Sequence, residues 1–202
     1  MVVFASIIMF TGFKFMHGPE PVLESTSLGM FRFFTVDSNI FMGIVSLLFL
    51  FGLYKYKENI PKLFYILKLM GTCGVMLTFL VVFLYLGPIS KDGIISMLQN
   101  SNLFFHLFIP VFSFITFAFF EKTEKLLFKD TLYGLVPCFI YSIYYTINVL
   151  IHMEDGKVSP IYDWYWFVQN GIWMVFFVAP MILGISYLIS LILWRLNKKK
   201  TL

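Results

Sequence analysis

Six long apolar stretches occupy most of the 202-residue chain, and short polar segments separate them. Stretches of about 20 apolar residues are long enough to cross the hydrocarbon core of a bilayer as α-helices. Because a segment inside lipid must satisfy its own backbone polar groups, the pattern predicts an all-α, polytopic membrane protein with a six-helix transmembrane bundle. The predicted spans lie near residues 2–16, 31–54, 64–86, 103–120, 131–152 and 165–194.

The composition supports this class of fold. Hydrophobic residues make up 59% of the chain and aromatic residues 20%, with 26 Phe, which is more apolar than a soluble domain usually is. The first stretch is short and contains Lys14, but no basic segment precedes it and no small-residue cleavage site follows it. We therefore interpret it as a helix rather than a signal peptide. No linker or convincing internal repeat divides residues 1–202, so we expect a single transmembrane domain.

Basic residues are concentrated in alternate connections and at the carboxyl end of the chain. The connections that contain most of them are residues 55–62, residues 122–129 and residues 195–200. The positive-inside rule then predicts a multi-pass protein of the cell membrane with both termini in the cytoplasm. The net charge of +4 does not indicate nucleic-acid binding, because the basic clusters lack interleaved aromatic residues that would stack on bases. Membrane lipids are the expected partners of these lysines.

Polar residues inside the apolar stretches are predicted to gather at one membrane depth, toward the outer leaflet. Such groups are costly in hydrocarbon and usually face the interior of the bundle or a wet cavity. Arg32, Thr35 and Asn39 share one face at the start of the second stretch, because residues three or four apart are helical neighbours. The complete set of candidate site residues is Arg32, Thr35, Asp37, Ser38, Asn39, His106, Asn148 and His152.

Thr35 and His106 have the residue types of a nucleophile and its general base. A threonine hydroxyl needs an adjacent base, and a histidine can accept its proton and return it to a leaving alkoxide. Asp37, Asn39 and Asn148 are the candidates to orient the imidazole or stabilise an oxyanion. Each polar residue also has a structural interpretation, in which Thr35 bonds a backbone carbonyl and both histidines serve only as hydrogen-bonding groups.

Asp37 requires a partner, because an unpaired carboxylate below the membrane interface is expensive. Arg32 and His106 are the candidates.

No metal or other cofactor is expected. Cys73 and Cys138 lie about 65 residues apart without a Cys-x-x-Cys pair or a histidine at ligand spacing, and we interpret both as buried apolar residues. A metal enzyme that uses His17, His106 and His152 is the alternative, although no two of them share a helix at ligand spacing.

Three short motifs are spread along most of the chain: Phe34-Thr35 followed by Ser38-Asn39, His106 with Pro110 four residues later, and His152, Gly156 and Pro160 before an aromatic segment. Together they resemble the androgen-induced/FAR-17a family, and its uncharacterised bacterial relatives in particular. Characterised members of this family are integral membrane hydrolases that cleave fatty acid esters of hydroxy fatty acids. The resemblance implies a membrane bundle in which Thr35 is the nucleophile, His106 is essential and the substrate is a long-chain acyl ester. Asp37 and Ser38-Asn39 make this motif more polar than that of the animal enzymes.

A non-enzymatic function remains the alternative to an intramembrane lipid esterase. In that interpretation the protein is a transporter or lipid-binding protein that uses Arg32, Asp37 and His106 for recognition or proton coupling. A carrier usually has a polar path through both halves of the membrane, whereas the halves near the lysine-rich connections look apolar in the sequence. The sequence therefore favours a pocket that opens on one side, and it does not predict an oligomeric state.

Overall fold

The computed structural model describes residues 1–19 and 25–198, and helices dominate this part of the chain. Five helices of 20 to 28 residues are long and apolar enough to cross a membrane, and one shorter apolar helix precedes them. The prediction of an all-α membrane bundle is confirmed. The helices are α1 (Val2–Thr11), α2 (Phe34–Tyr56), α3 (Lys62–Ile89), α4 (Ser101–Phe120), α5 (Phe128–Ile151) and α6 (Ile172–Asn197).

The first helix is shorter than the predicted span at residues 2–16. Helix α1 has ten residues and ends at Gly12, which adopts a left-handed conformation with φ of 70°. The N–H groups of Gly12 and Phe13 then bond to the carbonyls of Met9 and Ile8, which closes the helix. Ten residues rise about 15 Å, roughly half the thickness of the hydrocarbon core.

The last long helix begins later than predicted. The sequence placed its start at residue 165, but α6 begins at Ile172. Residues 159–171 form a folded connection instead, because the carboxylate of Asp163 accepts hydrogen bonds from the N–H groups of Phe167 and Val168. A short antiparallel hairpin, β1 (Met153–Glu154) and β2 (Lys157–Val158), precedes this connection.

Small residues allow the neighbouring helices to approach α3 closely. Of the five long helices, α3 has the largest buried share, and it packs against α2, α4 and α6. A Cβ atom at Gly71 would lie 2.8 Å from Sδ of Met42, and one at Gly74 would lie 3.3 Å from Cβ of Ser38. These two glycines therefore bring α2 against α3 at the level of the candidate site.

Helix α4 is locally widened around His106. Residues Phe104–Phe108 form a π-helical turn, in which the N–H of Ile109 bonds to the carbonyl of Phe104. Pro110 follows this turn and has no N–H to donate to the carbonyl of His106. The helix is therefore distorted beside His106, and π turns of this kind are frequent at functional sites.

The lysine-containing connections meet at one end of the bundle, which we call the lysine-rich end. Nζ of Lys62 lies 2.5 Å from Oδ2 of Asp130, and Nζ of Lys125 donates to the carbonyl of Ile60 over 2.6 Å. Lys122 donates to the carbonyl of Leu196, near the end of α6. Lys199 and Lys200 lie outside the described residues. The starts of α2, α4 and α6 and the hairpin lie at the opposite end.

Candidate functional site

A narrow cavity of about 70 Å³ lies between α2, α3, α5 and α6, toward the end opposite the lysine-rich end. Phe167 and Val168 of the folded connection contribute to its wall. Most lining atoms are apolar, and the hydroxyl groups among them include those of Thr35, Thr78, Tyr141, Ser142 and Tyr165. An apolar space with a few hydroxyl groups fits an uncharged, largely hydrocarbon ligand.

Thr35 is buried in the first turn of α2 and lies beside Tyr165 in this cavity. The hydroxyl oxygen of Tyr165 accepts a hydrogen bond from the N–H of Phe34 over 3.0 Å. Burial raises the pKa of Tyr165 to about 12, although hydrogen bonds with Tyr141, Phe34 and Thr35 lower it in part. Tyr165 therefore keeps its proton at neutral pH and can serve as a donor, but not as a base.

His106 is buried in the π-helical turn of α4, and its ring is held by a backbone group. Its Nδ1 atom lies 2.6 Å from the carbonyl oxygen of Met97. Because a carbonyl oxygen only accepts hydrogen bonds, Nδ1 carries the proton and Nε2 carries the free lone pair. Among the residues described, those that line the cavity beside Thr35 do not include His106.

The group that orients the imidazole is thus the carbonyl of Met97. The sequence offered Asp37, Asn39 and Asn148 as candidates for this role, but Nδ1 bonds to this backbone carbonyl instead. A backbone carbonyl leaves no signal in a sequence, so side-chain identities alone could not point to it.

Asn39 joins the turn that contains Thr35 to the segment that contains His106. Its Nδ2 atom donates to the carbonyl of Thr35 over 2.7 Å and to the carbonyl of Phe105 over 3.2 Å. Its Oδ1 atom is buried and has no hydrogen-bond partner in the described part of the chain. Ser38 donates to the same Thr35 carbonyl over 3.2 Å and lies 3.4 Å from the hydroxyl of Thr78. These two side chains fix the first turn of α2 between α3 and α4.

Arg32, one of the two candidate partners of Asp37, does not form an ion pair with it in the described part of the chain. The guanidinium carbon of Arg32 lies 4.8 Å from the ring centre of Phe33 and 5.8 Å from that of Trp164. Asp37 instead lines a groove between α2 and α5 and takes part in no ion pair among residues 1–19 and 25–198. His106 does not pair with Asp37 either, because no ion pair joins them among the described residues.

Asn148 and His152 hold the connection after α5 and stand apart from the Thr35 cavity. Nδ2 of Asn148 donates to the carbonyl of Tyr162 over 2.8 Å. The His152 ring stacks on the Tyr162 ring, with centroids 3.6 Å apart, and its Nδ1 atom lies 2.8 Å from the carbonyl of Asn148. These contacts match the structural interpretation of His152.

Three further residues near the cavity were not among the candidates from the sequence, namely Asp163, Tyr141 and Tyr165. Asp163 is fully buried, and its carboxylate accepts hydrogen bonds from the Tyr145 hydroxyl and from two backbone N–H groups. The Tyr141 hydroxyl donates to the carbonyl of Arg32 over 2.5 Å and accepts from Nε1 of Trp164 over 3.0 Å. The signal available in the sequence was the acidic residue Asp163 inside an aromatic segment. Its carboxylate is as costly to bury in an apolar environment as that of Asp37.

Buried charges also occur toward the lysine-rich end, where the sequence had predicted an apolar half. Nζ of Lys68 is 3.0 Å from Oε1 of Glu121, and both side chains are largely buried. The expectation of an apolar half is therefore wrong, because α3 carries Lys68 inward against the end of α4.

The described residues contain no group of three or more His, Cys, Asp or Glu side chains that could hold a metal ion. Cys73 and Cys138 are free and buried.

Comparisons with known protein families, curated proteins and solved structures found no match to this chain. The resemblance to the androgen-induced/FAR-17a family therefore stays a prediction from the motifs around Thr35, His106 and His152. The function has to be argued from the geometry of the site.

Proposed function

We propose that this protein is an intramembrane lipid esterase in which Thr35 is the nucleophile and His106 is the general base. The observation that carries this proposal is the double hydrogen bond of Asn39 to the carbonyls of Thr35 and Phe105. It ties the turn that contains the hydroxyl to the residue next to the imidazole. The hydroxyl lies in an apolar cavity, and the imidazole has its Nδ1 proton held by Met97.

The proposed reaction is acyl transfer through threonine. Nε2 of His106 takes the proton of the Thr35 hydroxyl while its oxygen attacks the ester carbonyl carbon. The imidazolium then gives that proton to the departing alkoxide, and the acyl group remains on Thr35. A water molecule, deprotonated by the same nitrogen, releases the fatty acid and restores the threonine. The Met97 carbonyl stabilises the ring in the tautomer that leaves Nε2 free.

Tyr165 is the proposed donor to the oxyanion. Its hydroxyl stays protonated at neutral pH because its pKa is about 12, and it lies beside Thr35. A fixed donor that points to the developing negative charge lowers the barrier to attack.

The proposed substrate is a long-chain acyl ester that enters from the surrounding lipid, as in fatty acid esters of hydroxy fatty acids. Each buried methylene group contributes about 0.8 kcal/mol, so chain length would dominate the affinity. The cavity of about 70 Å³ is narrow, and only the ester and nearby methylene groups would occupy it. The rest of the chain would lie along the lipid-facing helices.

The proposed orientation places the lysine-rich end in the cytoplasm and the Thr35 cavity in the outer leaflet of the cell membrane. The lysine-rich end contains Lys62, Lys122 and Lys125. An excess of lysine in short connections is typical of the cytoplasmic side.

The test is hydrolysis of a long-chain ester by purified variants with matched controls. We expect Thr35→Val and His106→Ala each to reduce the turnover by about a thousandfold or more. Thr72→Val is the control for threonine, because its hydroxyl is buried without a hydrogen-bond partner in the described part of the chain and it does not line the cavity. His17→Ala, at an exposed position, is the control for histidine. Unchanged hydrolysis by the Thr35 and His106 variants would remove the proposal.

The buried Lys68–Glu121 pair favours a carrier as the second candidate function, because it adds charges to the half of the bundle near the lysine-rich end. The test is proton-coupled uptake of a ligand into liposomes that contain the protein. Uptake that persists in the Thr35→Val variant would favour this carrier over the hydrolase.

A further inference from the structure

A second cavity, which we call the lateral groove, opens between α2 and α5 and has a volume of about 480 Å³. Phe34 and Tyr141 line both this groove and the Thr35 cavity, so their rings form part of the wall between the two. Five aromatic side chains and one carboxylate dominate the lateral groove, namely Phe31, Phe34, Phe41, Tyr141, Tyr144 and Asp37.

Among the side chains that the structure describes, the carboxylate of Asp37 has no counterion. The ion pairs Lys62–Asp130 and Lys68–Glu121 both lie toward the lysine-rich end. Two hydroxyl groups that also line the groove already have backbone partners: Ser38 donates to the Thr35 carbonyl, and Tyr141 donates to that of Arg32. Asp37 lies in the first turn of α2, where the helix dipole favours a negative charge without neutralising it. A carboxylate in apolar surroundings is stabilised by pairing with a cation.

The aromatic rings of the groove provide favourable surroundings for such a cation. Aromatic faces attract ammonium groups, and several rings around one carboxylate are suited to a cation with alkyl substituents. Phe41, Met70 and Val136 also line the groove and offer only apolar surface. The groove thus combines one negative charge with an apolar surface for a hydrocarbon chain.

We propose that the lateral groove binds a membrane amphiphile with an ammonium head group and a single alkyl chain. The ammonium lies beside Asp37 between the rings, and the chain follows Phe41, Met70 and Val136. This site is separate from the Thr35 hydroxyl and does not depend on the proposed esterase activity.

The experiment measures equilibrium binding of dodecyltrimethylammonium to the purified full chain in micelles of a nonionic detergent. Dodecanol, with the same chain and no charge, is the comparison ligand. We expect Asp37→Asn to weaken binding of the ammonium by about tenfold or more and to leave binding of the alcohol unchanged. We expect Phe41→Ala to weaken binding of both ligands, since it removes part of the apolar surface.

Asp155→Asn is the matched control, because Asp155 is an exposed aspartate in the hairpin turn and far from the groove. Thermal unfolding of each variant confirms that it is folded before binding is compared. Equal affinity of Asp37→Asn and wild type for the ammonium would overturn the proposal. Equal affinity of the wild type for the ammonium and the alcohol would overturn it as well, since the carboxylate would then play no part.

Discussion

At the scale of single residues, Asp163 organises the connection that helps to enclose the cavity. Its carboxylate accepts hydrogen bonds from the Tyr145 hydroxyl, from the N–H groups of Phe167 and Val168, and from Nε2 of Gln169. Phe167 and Val168 line the Thr35 cavity, so this single buried carboxylate positions part of its wall. A fully hydrogen-bonded buried carboxylate is sensitive to change, because each lost acceptor leaves a buried donor unsatisfied.

We therefore predict that Asp163→Asn lowers the free energy of unfolding by about 1–3 kcal/mol, because an amide nitrogen cannot accept the backbone hydrogen bonds. Thermal unfolding in detergent measures the effect, with the exposed Asp155→Asn as control. A melting temperature equal to that of the wild type would show that these hydrogen bonds do not hold the connection.

The sequence predicted which polar residues lie inside the bundle better than it predicted their partners. Burial of Thr35, Ser38, Asn39 and His106 follows from their positions within apolar stretches. Their partners, such as the carbonyls of Met97 and Phe105, are backbone groups on other helices. Backbone groups are present at every position, so only the three-dimensional packing selects them.

At the scale of helices, close contacts between small residues set how α5 packs against α6. A Cβ atom at Gly134 would lie 2.6 Å from Cβ of Ser190 and 3.3 Å from Sγ of Cys73. Ser186 donates to the carbonyl of Gly134 over 3.2 Å, and Ser190 donates to the carbonyl of Thr131 over 2.7 Å. Interhelical hydrogen bonds of this kind require the backbones to be close.

We predict that Gly134→Ala separates these helices and lowers the free energy of unfolding by about 1–3 kcal/mol. Gly184→Ala in α6 is the matched control, because no atom lies within 4 Å of its added Cβ. The control is expected to be neutral or slightly stabilising, since alanine favours the helix over glycine. Thermal unfolding compares the two variants, and equal melting temperatures would contradict the packing described for Gly134.

Hydropathy predicted the middle helices well because their limits depend on local composition. Helices α2 to α5 begin and end within a few residues of the predicted spans. The errors concern α1 and α6, whose limits depend on the left-handed conformation of Gly12 and on the hydrogen bonds of Asp163. Local signals do stand at both limits, Gly12 after α1 and Asn170-Gly171 before α6, but the apolar residues beyond them made the stretches look continuous.

At the scale of the whole molecule, the bundle has an apolar surface and two chemically different ends. Large side chains such as Leu47, Leu50 and Phe176 are 63–77% exposed, as expected for helices that face lipid. One end has the lysine contacts, and the other has the Thr35 cavity and the Asp163 connection. Local charge and hydropathy predicted this difference between the two ends, whereas the inward position of Lys68 was visible only in the fold.

The proposed orientation predicts which end a membrane-impermeant maleimide can label in intact cells. Lys157→Cys, exposed in the hairpin, should be labelled from outside, and Asn59→Cys, exposed at the lysine-rich end, should be labelled only after the membrane is opened. The native chain is the control, because Cys73 and Cys138 are buried. The opposite labelling pattern would reverse the orientation.

The most direct measurement of the central claim is the location of the covalent intermediate. Purified protein is treated with a long-chain fluorophosphonate, and the modified residue is identified by mass spectrometry. Our account predicts an adduct on Thr35 that is lost in Thr35→Val and in His106→Ala but not in Thr72→Val. Ester hydrolysis without modification of Thr35, or an adduct on another hydroxyl such as that of Ser142, would contradict it.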